Sequence, residues 1–319
     1  MTEMIATLNL SKTFGKNTAV ENLSIEIEAG QVFGLLGPNG AGKTTTIRML
    51  SSLIAPTSGE ARVAGFLVGE NDTLIRQNIG ILTESPGLYD RLTAERNLHF
   101  FAGLYEIDNV SAQVEKYLRM LGLWERRKEE VGEFSKGMRQ KVAMARALLH
   151  EPKILFLDEP TSGLDPEAAR VVREFIGELR QEGRTILITT HNLNEAERLC
   201  DRVAVLNTRL LAVDTPANLR QQLYGRSVVF HLQQAQDGFA QTLAKFPFVH
   251  SSEMVDNKLV VGLDDPESNN PALVRALVEN GAQIQFVGEL RHSLEDIYLR
   301  LVENQDEEQQ AAGGQEQAN

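Results

Sequence analysis

Gly37-Pro38-Asn39-Gly40-Ala41-Gly42-Lys43-Thr44 is the strongest structural signal in the chain. Its spacing is Gly, four residues, Gly, Lys, Ser/Thr, the composition of a loop that wraps a nucleotide polyphosphate. The three glycines let the backbone adopt conformations closed to residues with a Cβ. Several N–H groups then point into one concavity, which attracts an anion. Lys43 sets a point charge on the β- and γ-phosphates, and the Thr44 hydroxyl is placed to bind Mg²⁺. Upstream, Val32, Phe33, Leu35 and Leu36 read as an apolar strand, and residues 44–53 read as a helix beginning with Thr44 and Thr45. The positive end of that helix would face the phosphates.

A chain of 319 residues suffices for roughly two domains. A hydrophobic content of 42% is ordinary for a globular chain and supports a large core. No apolar run reaches the roughly 18 residues needed to cross a bilayer. Residues 1–10 carry Glu3 and no basic cluster, so no secretory signal is expected. The single cysteine, Cys200, excludes an internal disulfide and fits a reducing compartment. It reads as a packed small thiol rather than a nucleophile. The net charge is −12, with Glu303, Asp306, Glu307, Glu308 and Glu316 clustered where no Lys or Arg follows Arg300. That balance argues against a general nucleic-acid binder, so no nucleic-acid partner is expected.

The first 215 or so residues alternate strand and helix signals. Leu23, Ile25 and Ile27 alternate with Glu26 and Glu28 as in one half-buried strand. Residues 79–82 form a short apolar run, and residues 93–150 are mostly helical in pattern with breaks near Gly122 and Gly132. Residues 154–157 are a continuous apolar run, the mark of a strand covered on both faces, and residues 185–190 read as another buried strand. Ala168, Val171, Val172, Phe175, Ile176 and Leu179 recur at helical spacing before Gly183. Residues 203–206 and 210–213 predict a hairpin. The fold class is α/β, a P-loop NTPase core with a helical insertion at about 90–150. Beyond Leu223 the pattern changes to a small α+β domain. Strands are predicted at 228–232, 249–255, 258–263 and 283–287, and helices at 239–246, 271–279 and 293–302. Residues 304–319 are Gln, Glu, Ala and Gly without core formers and read as a disordered acidic tail.

Three further features carry chemistry. The run 154–157 ends in Asp158-Glu159. A carboxylate at the carboxyl end of a buried strand beside the phosphate loop suits a Mg²⁺ partner, Asp158, and the next residue, Glu159, is placed to take a proton from water. His191 closes the run 185–190, where a side chain reaches a γ-phosphate or orients the glutamate. Phe134-Ser135-Lys136-Gly137-Met138-Arg139-Gln140 precedes a helical run. Ser135 is either a plain N-cap or, with Gly137, part of a second anion-binding helix start. The local sequence leaves both readings open.

With these motifs in place, the chain resembles the nucleotide-binding subunit of an ABC transporter over about residues 4–220. Residues 37–44 match the Walker A loop, residues 154–159 match Walker B with its catalytic glutamate, and 135–140 correspond to the signature. Ser162-Gly163-Leu164-Asp165 corresponds to the D-loop, His191 to the switch histidine, and Phe14 to the aromatic that stacks on adenine. The resemblance implies ATP and Mg²⁺ as cofactors, with Glu159, His191 and Lys43 catalytic. It implies nucleotide contacts from Phe14, residues 37–45, Ser135, Gly137, Gln140 and Asp165, and metal contacts from Thr44, Asp158 and Glu84. It also implies head-to-tail pairing with a second ATPase subunit and docking on integral membrane permease subunits at the cytoplasmic face. Leu88, Tyr89, Phe100, Phe101 and Tyr105 are docking candidates, or equally the core of the helical insertion. The implied domains are an ABC ATPase at 1–222 and a C-terminal domain at 226–303 that resembles the extension of several exporter ATPases, most clearly at Ser293-Leu294-Glu295-Asp296-Ile297-Tyr298.

Two positions depart from the family pattern. Lys136 stands where a second glycine is common, a variant similar to the branch that exports drugs, lipids or ions. Glu84 stands where the family has glutamine. Its extra charge near the triphosphate either alters the metal and hydrolysis response or is tolerated as a near-isostere. The competing class is a non-transport ABC ATPase acting on DNA or ribosomes. Such relatives carry long coiled coils, zinc-binding cysteines or tandem ATPase domains, whereas this chain has one P-loop, one cysteine and no sustained heptads. The Mg²⁺ dependence of ATP hydrolysis in Glu84→Gln separates the two readings of that position: an unchanged curve and rate retire the special role.

Overall fold

The computed structural model describes residues 3–302 apart from 84, 86, 291–295 and 297. Contacts divide the chain into two compact units, Met1–Thr215 and Pro216–Asn319. The first unit opens on an antiparallel sheet made by β1 (Glu3–Phe14), β2 (Asn17–Leu23) and β3 (Glu26–Glu28). The alternation of Leu23, Ile25 and Ile27 predicts one strand, but the chain steps between two. Leu23 pairs with Leu10, and Ile27 pairs with Ile5. The buried Thr7 hydroxyl stitches the step, donating to Leu23 O and accepting from Ile25 N, both at 2.9 Å. No local pattern in residues 17–28 announces that distant hydroxyl.

Next come β4 (Val32–Leu36), α1 (Lys43–Leu50), β5 (Ser58–Val63), β6 (Phe66–Leu67), α2 (Asp72–Asn78) and β7 (Ile79–Leu82). Three helices follow: α3 (Ala94–Ala102), α4 (Val110–Met120) and α5 (Lys136–Leu148). Each begins at a side-chain cap. Thr93, Asn109 and Ser135 accept from Arg96 N, Ala112 N and Met138 N respectively. The break near Gly122 follows α4, and residues 131–133 around Gly132 make a 3₁₀ turn rather than a plain interruption.

The unit finishes with β8 (Ile154–Asp158), α6 (Pro166–Gln181), β9 (Thr185–Thr190), α7 (Leu193–Leu199), β10 (Arg202–Asn207) and β11 (Arg209–Asp214). Among the described residues a six-stranded sheet runs β11-β10-β4-β9-β8-β7. Its strands are parallel except for β11, which closes the predicted hairpin with β10. Every residue of β4, β8 and β9 is buried. This is why the interiors of those three strands carry no charged residue and are rich in apolar ones: helices cover both faces of a parallel sheet. Phe33, Leu35, Ile47, Phe156 and Leu187 join one core cluster that ties the sheet to α1. No helix among the described residues is long and apolar enough to cross a membrane.

The second unit contains α8 (Pro216–Tyr224), β12 (Ser227–Leu232), α9 (Asp237–Leu243), β13 (Val249–Val255), β14 (Lys258–Leu263), α10 (Pro266–Glu279) and β15 (Ile284–Glu289). Its antiparallel sheet runs β13-β14-β12-β15, and Phe230, Leu259, Val261, Leu273 and Leu277 share its core. Helix α10 starts at Pro266, earlier than the predicted 271, because Asp265 caps it and Pro266 takes the first helical position. Pro271 lies inside the helix rather than at its start. Most of the stretch at 293–298 lies outside the described residues; residues 296 and 298–302 are helical.

Phe156 is fully buried on β8, between β9 and the edge strand β7 of the six-stranded sheet. Phe156→Ala should lower the unfolding free energy of the first unit by about 3–5 kcal/mol in urea denaturation. A loss below about 1 kcal/mol would contradict this account of the core.

Candidate functional site

Strands β4, β9 and β8 are neighbours, and their carboxyl ends lie flush. Leu36 is in register with Thr190, and Asp158 with Thr189. Open α/β sheets bind ligands in the crevice outside such strand ends. Three short segments leave this edge: residues 37–42 after β4, Glu159 after β8, and His191 after β9. An open cleft of about 250 Å³ forms there, lined by Pro38, Asn39, Gly40, Gly42, Lys43, Thr44, Thr45, Glu159, Ser162 and His191.

The loop is held tightly against the first sheet. Gly42 has φ 100°, and a Cβ there would lie 2.3 Å from Ala19 O. Only glycine satisfies both the left-handed backbone and the close approach. From that point α1 starts without a side-chain cap, so its first N–H groups face the cleft unclaimed by a capping oxygen. The Lys43 ammonium is 6% exposed and donates to Gly37 O at 2.7 Å and Pro38 O at 3.0 Å. Burial pulls its pKa below the ordinary value, while the Glu159 and Asp158 carboxylates pull it back up. A buried cation at the floor of a loop of amide donors is built to meet an anion.

The carboxylates stand opposite the loop. Asp158 is 2% exposed, and its Oδ1 accepts from Thr44 Oγ1 at 3.2 Å and Thr189 Oγ1 at 2.5 Å. Glu159 follows with φ 50°, a left-handed conformation that turns its side chain out of the sheet. Its N–H donates to Thr189 O and Thr189 Oγ1, each at 3.1 Å. One Glu159 oxygen is 3.7 Å from Lys43 Nζ, and the other is 2.9 Å from His191 Nδ1. His191 itself is 57% exposed. The cleft thus combines a cation, a hydroxyl–carboxylate pair and a second carboxylate braced by an imidazole, the parts that phosphoryl transfer to water requires.

Other sequence candidates are not brought to this cleft. Ser135 caps α5 through Met138 N at 3.3 Å, so the N-cap reading holds within the chain. Gly137 serves close packing: a Cβ there would lie 2.7 Å from Ala168 Cβ on α6. Asp165 caps α6, its Oδ1 accepting from Ala168 N at 2.9 Å. Gln140 is 5% exposed and donates to Pro160 O at 3.0 Å, a tether from α5 to the segment behind Glu159. Phe14 is half exposed at the end of β1, with the Lys12 ammonium 5.1 Å from its ring centre. Glu84 lies outside the described residues.

Two residues at the site were given no contact by the sequence, which placed Ser162 only within the D-loop and Thr189 only within a strand. Ser162 lines the cleft, and Thr189 joins Asp158 to the Glu159 backbone. The signal for Thr189 was present in Thr189-Thr190, polar residues ending an apolar run. Their partner became visible only once β9 was in register with β8.

The sequence profile described as "ABC transporter" matches residues 20–162. The profile described as "ATP-binding protein DrrA1-3-like, C-terminal domain" matches residues 215–302. Among curated proteins, the chain is 36% identical over 303 residues to the bacitracin transport ATP-binding protein BcrA of Bacillus licheniformis, covering 95% of this chain and 98% of that one. It is 36% identical over 297 residues to the Nod factor export ATP-binding protein I of Rhizobium sp. (strain N33), covering 92% and 94%. Among solved structures it is similar to a dimeric ATP-binding cassette in a post-hydrolysis state bound to ADP and Pi. That likeness has a TM-score of 0.61 and 26% identity, and it covers 66% of this chain and 98% of the other.

The crowding at Gly42 gives a direct test. Gly42→Ala should weaken binding of a fluorescent adenine nucleotide by about 5–150-fold, the equivalent of roughly 1–3 kcal/mol of backbone strain. Wild-type affinity in a folded variant would show that the loop is not constrained as described.

Proposed function

The chain belongs to the ATP-binding subunits of ABC transporters, which hydrolyse ATP, and on that premise we propose that it is the paired motor of an exporter docked on a separate membrane permease. The observation that carries the proposed chemistry is Glu159, held between Lys43 at 3.7 Å and His191 at 2.9 Å inside the cleft.

In this reading the loop at 37–45 binds the phosphates of ATP, and Lys43 exchanges its loop carbonyl partners for β- and γ-phosphate oxygens. The donor set fits Mg²⁺: Thr44 and Asp158 offer a hydroxyl and a carboxylate oxygen 3.2 Å apart, hard ligands for a hard cation. Mg²⁺, when bound, neutralises charge on the β- and γ-phosphate oxygens. Glu159 accepts a proton from water as the water oxygen bonds to the γ-phosphorus. The bond from that phosphorus to the ADP oxygen breaks, giving ADP and phosphate. His191 fixes the Glu159 carboxylate through its Nδ1 contact.

Pairing is supported by the dimeric relative bound to ADP and Pi and by the position of Ser135, away from the chain's own cleft. A second ATPase subunit, in a homo- or heterodimer paired head to tail, receives the start of α5 at its ATP, with Gly137 and Asp165 shaping that surface and Gln140 acting from behind it. Phe14 offers its half-exposed ring to adenine. Export as the direction rests on the exporter relative. Permease docking is supported by an exposed aromatic cluster: Tyr89 and Phe100 are 48% and 50% exposed, their ring centres 5.0 Å apart. Phe101 packs on both, and Leu88 beside them is half-buried. Tyr105 instead stacks on His150 at 4.0 Å and is occupied within the helical region. Contiguous exposed apolar side chains mark interaction surfaces. Docking there places the chain at the cytoplasmic face of a membrane.

Glu159→Gln should keep ATP affinity while cutting phosphate release by about 100-fold or more, measured by nucleotide titration beside a steady-state assay. Turnover at the wild-type rate would overturn the assignment of the base. Affinity purification from membranes should recover an integral membrane protein, and recovery of ribosomes or DNA instead would sink the transport reading.

A further inference from the structure

Glu195 is a buried carboxylate, 4% exposed, that does not line the cleft. Both of its oxygens are engaged. Oε2 accepts a short hydrogen bond from Thr161 Oγ1, and Oε1 lies 3.6 Å from Arg173 Nη1. A carboxylate is kept out of water only where such partners compensate its lost hydration. The placement of these partners is informative. Thr161 comes two residues after Glu159, Glu195 comes four residues after His191, and Arg173 belongs to α6. The bond therefore joins the two segments that carry Glu159 and His191, without touching either side chain.

Those segments need an anchor. The sheet ladder ends at the Glu159 N–H bond to Thr189 O. Beyond it Glu159 takes a left-handed backbone that a non-glycine residue holds only when its surroundings impose it. Three side chains from three elements grip this short stretch. Thr189 of β9 accepts from Glu159 N, Gln140 of α5 donates to Pro160 O, and Glu195 of α7 accepts from Thr161. Helix α7 is in turn fixed to the strand end: Thr190 Oγ1 accepts from Asn192 N, and Asn192 Oδ1 accepts from Glu195 N. Beside the Glu159–His191 contact itself, the Thr161–Glu195 bond connects the glutamate-bearing segment to the histidine-bearing one past the sheet.

We propose that Glu195 is a positioning residue for hydrolysis, clamping Thr161 against α7 so that Glu159 and His191 keep their working separation. The proposal rests on the reading of Glu159 as the base. Loss of the clamp lets the carboxylate wander from the attacking water while leaving the phosphate loop untouched. It therefore acts on kcat and not on ATP affinity. A displacement near 1 Å at a reacting group lowers rate by up to about 100-fold.

The test uses the full chain and the near-isosteric pair Thr161→Val and Thr161→Ser. Thr161→Val deletes the hydroxyl and should lower kcat about tenfold or more, with KM for ATP within about twofold of wild type. Thr161→Ser restores the donor and should return kcat to within about threefold. Without nucleotide, amide hydrogen exchange across residues 159–165 should rise in Thr161→Val and stay at the wild-type level in Thr161→Ser. Glu195→Ala should lower kcat at least as far as Thr161→Val, and the double variant should be no slower than Glu195→Ala, because both act through one bond. Where Glu195→Ala fails to fold, the Thr161 pair decides. Thr161→Val with kcat within about twofold of wild type overturns the clamp, as does Thr161→Ser as slow as Thr161→Val. Glu159→Gln assayed in parallel separates the two ideas. If it is inactive while Thr161→Val is normal, only the clamp fails; if it turns over normally, the base reading fails and the clamp falls with it.

Discussion

Thr189 Oγ1 donates to Asp158 Oδ1 at 2.5 Å, and from this bond between adjacent strands the rest of the site hangs. Strand register puts the two residues opposite each other at the carboxyl edge of a fully buried parallel pair. The same Asp158 oxygen accepts from Thr44 on α1, which couples the phosphate loop to β8. The same Thr189 accepts from Glu159 N, which fixes where the second carboxylate leaves the sheet. A shift of one residue between β8 and β9 would turn Asp158 to the other face and undo every one of these contacts. The apolar faces of β4, β8 and β9 set that register, so packing in the core determines geometry at the rim.

Helix α5 shows how one element can serve two places. Its start carries Ser135 and Gly137, and Gly137 allows α6 to pack closely through Ala168. One turn further on, the same helix grips Pro160 O through Gln140. The Lys136 side chain runs across Gly163, whose added Cβ would meet Nζ at 2.4 Å. The start of α5, the turn at 162–165 and the segment behind Glu159 are thus packed against one another within the first unit. A push on the start of α5 therefore has a short path of hydrogen bonds and packed atoms to the chain's own carboxylate. Farther along, Arg146 of α5 donates to Gly87 O and stacks over Phe101, so the other end of the helix touches the aromatic cluster.

What the sequence made legible follows from burial. Strands covered on both faces appear as apolar runs, so β4, β8 and β9 and the residues at their ends were readable from pattern alone. The glycine loop was readable because its chemistry demands glycines at fixed spacing. Segment 58–78 was not: in β5 only Ala61 and Val63 turn inward, too few to announce a strand. The break between β2 and β3 depends on Thr7, and the tether role of Gln140 depends on Pro160; in both cases the partner is remote in sequence. Glu195 gave no signal for the same reason. It stands between Asn194 and Glu197, both exposed, and only the fold reveals that Glu195 is the buried carboxylate, the one that accepts from Thr161.

Cys200 packs against the backbone of β4, where a Cβ on Gly34 would lie 2.9 Å from its sulfur. It is the single cysteine of the chain and is buried, and burial pushes its thiol pKa well above the ordinary value. Thiolate is the reactive form, so slow reaction of the folded chain with alkylating and maleimide reagents is the expected behaviour of this buried thiol. The molecule therefore comes prepared for site-selective labelling. A cysteine introduced on the exposed surface can take a dye or spin label without first removing the native one. The native thiol, in turn, becomes a clock for opening of the central sheet, because its modification rate counts the excursions in which β4 loses its cover.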